Sequence, residues 1–369
     1  SGKIKYVDRD MVDFELPKME GAFNHLANLI PLKSATKGQR AVMGARMLTQ
    51  ALPLQNAEAP LVQSGKPDNP DKSYEEEYGR HMGAIHSDVD GQVIYADNDE
   101  IHVRGSDGRL YKHEIYNNLP FNRKTFLHNT PTVKVGDVVK KGGLLAKSNY
   151  TDSKGAAALG TNLRTAYIPY KGYNFEDAIV ISEAAAKKLT SEHMYQHEAE
   201  FGNDTKQGKK SFLTLFPSDY SRQVVDSLDD EGVIKPGTVV TKGHPLVMQA
   251  KVLSRAHNQQ VGRSKTGFNN NSITWDHENE GVVTDVVKTK KGVSVTVKSL
   301  SSMKEGDKLS GRYGDKGVIA AVIPNDKMPK DSEGNPFEVL LNPLGVITRT
   351  NPSQMVETAL GKIAAKTGK

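Results

Sequence analysis

Two lysines, Lys308 and Lys316, lie eight positions apart among four glycines in the stretch GDKLSGRYGDKGVIAAVI, residues 306–323. Glycine permits positive φ and close approach of a second backbone or a ligand, and lysine is a point charge suited to phosphate. The familiar phosphate loops do not fit. A P-loop needs Gly-x-x-x-x-Gly-Lys-Ser/Thr between a strand and a helix, whereas Lys316 follows Asp315, precedes Gly317 and enters a strand-like run. GRSKTG, 262–267, carries Ser264 where the second glycine should stand, and no Gly-x-Gly-x-x-Gly fingerprint is present. If Gly306–Asp307 closes one strand and Gly317 opens another, the two lysines lie at the ends of one loop and can face one anion. The alternative is a solvated, glycine-rich hairpin.

Other candidate groups are scattered. Glu176–Asp177 is a carboxylate pair in a turn ahead of the apolar run AIVIS. Adjacent strand side chains point to opposite faces, so one of the pair faces a given site unless the turn splays both. Arg40, Arg46 and Arg349 are phosphate-clamp candidates, because a guanidinium fork matches phosphate oxygens. DVDG, 88–91, reads as a turn, since an EF-hand would need further ligands. DHENE, 276–280, lacks His-Glu-x-x-His spacing and reads as a solvated loop. The eleven histidines form no ligand pair by spacing.

The elements that must position these groups are mostly β. The 369 residues suffice for two or three compact units; 37% are hydrophobic and the net charge is +5, which permits a polyanionic partner without demanding one. With no cysteine, disulfides and Cys-based zinc sites are excluded and a reducing compartment fits. No apolar run approaches the roughly 18 residues of a spanning helix. The ends, Ser1-Gly2 in place of Met and GKIAAKTGK, read as those of a piece of something longer. Apolar spacing predicts helices at 14–30, 37–54 and from Ser353 as N-cap. The charged, Pro- and Gly-containing 64–79 reads as a loop, and period-two patterns over 83–116 and 281–300 read as antiparallel strands. Residues 163–189 read strand, turn, strand, helix. The stretch around 257–272 reads as a mobile polar loop. The fold class is β-rich α+β.

Six segments, in order, resemble one family. GYNFEDAIVISE (172–183) and GDKLSGRYGDKGVIAAV (306–322) are similar to signatures of the β subunit of multisubunit DNA-directed RNA polymerases. RAVMGARMLTQALPL (40–54), PTVKVGDVVKKGGLLA (131–146), ALGTNLRTAYIPY (158–170) and NPLGVITRTNPSQMVETALG (342–361) match in sequence. The resemblance implies a double-psi β-barrel assembled from separated segments. On that basis 1–39 is a helical lead-in, 40–65, 143–190 and 301–352 are barrel segments, 66–142 is a β insertion, 191–300 is a flap-like insertion and 353–369 is a helix.

The resemblance also implies a mechanism. The aspartate triad for the catalytic Mg2+ belongs to a β′-type partner, and its NADFDGD motif is absent here. Lys308 and Lys316 are then expected at the RNA 3′ end and the entering nucleotide, and Arg40 and Arg349 on its triphosphate. Asp177 and Glu176 are expected at the second Mg2+, and Arg46, Gln50 and Arg312 at nucleic acid. Expected partners are a β′-type subunit, the remainder of β, DNA template, RNA and NTPs, without a membrane and in the cytoplasm. Tyr313-Gly314-Asp315 stands where the bacterial form has His-Gly-Asn, so Asp315 could pair with Lys316; Arg46 and Thr49 stand for Asn and Arg. A reduced β of this kind resembles the split subunits of large bacteriophages. The competing reading is a non-catalytic β-like decoy or regulator that binds polymerase subunits or nucleic acid.

Overall fold

The computed structural model describes residues 4–15, 23–121, 124–252 and 267–368. Its centre is a mixed five-stranded sheet. In chain order the strands are β1 (Thr165–Tyr167), β2 (Ala178–Ser182), β3 (Lys308–Ser310), β4 (Lys316–Ile323) and β5 (Val339–Leu341). In space they run β1-β5-β2-β4-β3. β1 pairs parallel with β5 and β2 parallel with β4, while β2–β5 and β3–β4 are antiparallel. Continuous apolar runs such as AIVIS suit a sheet covered on both faces. Ile179, Ile181, Ile319 and Val339 pack on one face, and Val180, Ala321, Leu340 and Ala166 on the other.

Helices α1 (Gly38–Thr49), α2 (Leu344–Thr348) and α3 (Ser353–Thr367) stand around this sheet, and the helix Glu183–Lys188 packs Ala185 and Ala186 onto its Ile179 face. α1 turns Ala41 and Ala45 onto the fully buried Tyr313 and Ile30. The expected first barrel segment contributes this helix and two isolated bridges, Leu54 to Ser191 and Glu58 to Gly160, and no strand of the five.

Two further β units have their own cores. The first includes Gly91–Ala96, Glu100–Gly105 and Leu110–Glu114 around Val93, Ile101, Val103 and Leu145. The second is built on the long strand Ser191–Glu200, which pairs in unbroken register with Gly292–Ser301. That strand in turn forms the expected hairpin with Gly281–Thr289. Trp275, Phe212, Leu246 and Met248 fill this core.

Four local expectations are corrected. Residues 64–79 form a short hairpin, Gly65–Lys66 with Asn69–Ser73, and then a helix, Tyr74–His81. Charge density points to a loop, yet Glu75, Glu76 and Glu77 complement a helix N-terminus and Ser73 caps it, accepting from the Glu76 N–H. Ser353 is not a cap: its hydroxyl donates to the Ala35 carbonyl and accepts from Thr36, tying α3 to the lead-in. Of the polar stretch 257–272, residues 257–266 lie outside the described residues, as does Ser264. Its end, Phe268–Asn270, is a strand paired with Gln249–Val252. Within 14–30 only His25–Asn28 is α-helical among the described residues, and 16–22 lie outside them.

Candidate active-site hairpin and its acidic seam

The β3–β4 register sets Lys308 opposite Val318 and Ser310 opposite Lys316. Side chains two apart on a strand share a face, so both lysines stand on the same face as diagonal neighbours, a spacing of about 7–8 Å or somewhat less at Cβ. Both are exposed. Neither ammonium has a hydrogen-bond or ion-pair partner among the described residues. Lys308 borders a groove of about 1300 Å³ between the sheet, α3 and the second β unit, and Lys316 borders a small cleft with Glu176, Asp177 and Arg349.

Backbone contact, not side-chain packing, fixes this hairpin. A Cβ on Gly317 would lie 2.2 Å from the Asp177 carbonyl oxygen, and one on Gly44 of α1 would lie 1.9 Å from that of Arg312. Those distances admit no side chain. They seat the 311–315 turn directly on α1 and bring β4 against the chain entering β2. Arg40 of α1 completes the seat by donating from Nη1 to the Gly314 carbonyl at 3.0 Å.

Asp315 does not pair with Lys316. Its Oδ1 accepts from the Tyr313 N–H at 3.2 Å, inside its own turn. Burial pushes the Asp315 carboxyl up to about 6, with the nearby Glu357 adding to the rise and the Tyr313 N–H and Arg40 opposing it. The reason is the turn: Asp315 ends it with its carboxyl folded back on the Tyr313 N–H, while Lys316 opens β4 as an exposed residue.

Across the cleft, Arg349 donates from Nη1 to Asp177 Oδ1 and from Nη2 to Oδ2, the latter at 2.9 Å. The expected phosphate clamp and the expected metal ligand are thus each other's partner, in a two-pronged pair whose side chains remain 38% and 47% exposed. Both ends are set by unusual backbone. Glu176, just before Asp177, has φ +54°, and Thr350, just after Arg349, has φ +49°. A left-handed non-glycine residue costs on the order of 1–3 kcal/mol and persists where its surroundings over-determine it. Asn174 helps to do so: its amide donates to the Ile168 carbonyl at 2.7 Å and its oxygen accepts from the Tyr170 N–H. Asn351, buried, donates to the Tyr313 carbonyl at 3.1 Å and joins the seam to the lysine hairpin.

The remaining expected contacts divide. Arg46 and Gln50 are exposed on and just beyond α1. Arg312 points inward with its side chain 13% exposed. It donates to the Val62 carbonyl at 2.7 Å and to Glu357 at 2.6 Å, and lies 3.6 Å from Glu75. It is a strut joining α3, the helix Tyr74–His81 and the chain at Val62. Burial raises the Glu75 carboxyl to about 7, against the pull of the Ser64 N–H and Arg312. Sequence reading missed this network, although Glu75 inside an amphipathic helix was the available signal.

The site is thus a glycine-seated lysine hairpin beside a carboxylate–arginine seam on a mixed sheet, assembled from segments far apart in the chain. The chain belongs to the RNA polymerase Rpb2, domain 6 family, whose model matches residues 86–369. It is 34% identical to the DNA-directed RNA polymerase subunit beta of Thermus aquaticus over 98% of this chain and 33% of that protein. The corresponding subunits of Gloeobacter violaceus (33% identical, 90% of this chain, 31% of the relative) and Rubrobacter xylanophilus (33%, 99% and 33%) match similarly. The chain spans about a third of the length of the curated relatives it matches. Among the described residues no helix is long and apolar enough to cross a membrane.

Proposed function

We propose that this chain acts as the β-type wall of a DNA-dependent RNA polymerase active centre, with the five-stranded sheet as part of a double-psi β-barrel. It works opposite a β′-type subunit that supplies the aspartate triad. The observation that carries this reading is the pair of unpartnered lysines on one face of a hairpin, next to a half-exposed Asp177–Arg349 pair. Lys308 holds the RNA 3′ region and Lys316 the entering nucleotide, each as a mobile positive charge against phosphate.

Arg40 and Arg349 are the triphosphate contacts of this reading. Among the described residues the Arg40 guanidinium makes one hydrogen bond, to a carbonyl, and retains donors for an anion. Arg349 is satisfied by Asp177 until a triphosphate arrives; the phosphates then take the guanidinium, and Asp177, with Glu176 beside it, turns to the nucleotide's metal. The exchange conserves charge pairing on both sides, so neither ion is left bare. Asp177 would help to hold a Mg2+ that enters with the nucleotide, and such an ion would supply charge neutralisation for the leaving pyrophosphate. One exposed carboxylate suits an ion that keeps several waters and is held mainly by phosphate oxygens.

The test is reconstitution with a β′-type subunit and a primed template. Lys308→Ala and Lys316→Ala are expected to cut primer extension strongly while subunit assembly is retained. Extension at the wild-type rate by the double variant overturns the role. Inhibition of a complete polymerase by a chain that never enters an active complex supports the decoy instead.

A further inference from the structure

The stretch DHENE has no metal-binding spacing of its own, but the second β unit supplies a distant partner. His197, on the strand Ser191–Glu200, stands against Asp276 and His277, and one ligand atom from each of the three lies within 4.8 Å of the others. His197 Nε2 is buried with no hydrogen-bond partner among the described residues. His277 Nε2 is 3.3 Å from Asp276 Oδ1. The supports are rigid. His197 pairs with Val295 in a ten-residue register, and the Trp275 ring donates to the Asn279 carbonyl at 2.8 Å while its backbone bonds His244 and Gly243. Tyr195 packs on the His277 ring at 3.9 Å between centroids, restraining its rotation.

We propose that His197, Asp276 and His277 form a binding site for a divalent transition cation of the zinc class, closed by water on the solvent side where Asp276 is 73% exposed. Two imidazoles and a carboxylate suit zinc and its neighbours, whereas magnesium prefers oxygen ligands. Bound there, the ion ties the long strand to the Trp275–Asn279 turn at the rim of the groove that Lys308 borders. This site is independent of the polymerase reading.

Trp275 is the only tryptophan in the chain and its ring meets His277 at 4.6 Å and His197 at 5.7 Å. Paramagnetic Co2+ titrated into the chelator-treated 369-residue chain is therefore expected to quench its fluorescence to a one-to-one end point. Zn2+ should reverse the quench, and excess Mg2+ should not. His197→Gln, His277→Gln and the exposed Asp276→Asn are each expected to weaken Co2+ at least tenfold, with thermal melting run alongside. Should the histidine variants fail to fold, Asp276→Asn decides. An unchanged Co2+ midpoint in that variant, absence of quenching in the parent chain, or displacement by Mg2+ overturns the proposal.

Discussion

The five-stranded sheet and the four-stranded sheet of the second β unit both collect side chains from distant segments, but they hold them differently. On the first, Lys308, Lys316, Asp177 and Arg349 stand on the rim, and backbone does the positioning: two glycine contacts, two left-handed residues and an asparagine bridge. On the second, His197 and His277 are wedged among Tyr195 and Trp275, and packing does it. The rim lysines, fixed through the main chain, stay exposed and, among the described residues, without a partner. Packed imidazoles lose water and rotation, which suits a small ion and excludes a phosphate chain.

The sharpest way to break the contrast is to damage the backbone contacts. Gly317→Ala or Gly44→Ala forces a methyl into a carbonyl oxygen and is expected to destabilise the chain by about 3 kcal/mol or more, read by denaturant melting. A cost below about 1 kcal/mol would mean the hairpin is not seated as described. Next come the lysines. Either alanine substitution should lower extension by about 10²-fold, the scale of losing one preorganised charge contact, while stability moves by less than about 0.5 kcal/mol. A matching loss of stability would make them structural.

The seam should show a smaller effect. In a double-mutant cycle with Asp177→Asn and Arg349→Gln, the stability coupling is expected at about 1 kcal/mol or less, since the pair is half exposed. The same cycle in nucleotide KM should be clearly non-additive if the partners exchange on binding; additivity would separate their roles. A pH effect probes the buried side of the lysine hairpin's turn. The Asp315 carboxyl is raised to about 6 in the fold, so the native state holds its proton over a range where the unfolded chain has lost it. Stability therefore falls as pH rises from about 4 through about 6. Asp315→Asn, which keeps an oxygen for the Tyr313 N–H, should flatten that decline and match the parent below pH 4; equal pH profiles would show the carboxyl to be unperturbed.

The hairpin was legible in the chain because its chemistry is local: lysines, glycines and period-two valines lie within one short stretch. The antiparallel units and α1 were legible for the same reason. The helix at Tyr74–His81 was not, because three glutamates in one turn look like solvated charge until a serine cap and a buried face are seen. Arg312 was read as a nucleic-acid contact because nothing in its neighbours discloses Glu75 and Glu357, 237 and 45 positions away along the chain by numbering. DHENE lies in a loop, as its composition predicts, but its approach to His197, 79 positions upstream of Asp276, is invisible to spacing.

By itself, then, the sequence determined the family, the β-rich class and the residue types of the proposed active wall, all of which rest on local pattern and ordered motifs. Only the tertiary structure decided which charges are free and which are spent. Pairing of Asp177 with Arg349, the inward turn of Asp315 and the strut of Arg312 depend on strand register and on which face each side chain leaves. Those are long-range properties, because a side chain's electrostatics is set by whatever the fold brings within a few ångströms of it.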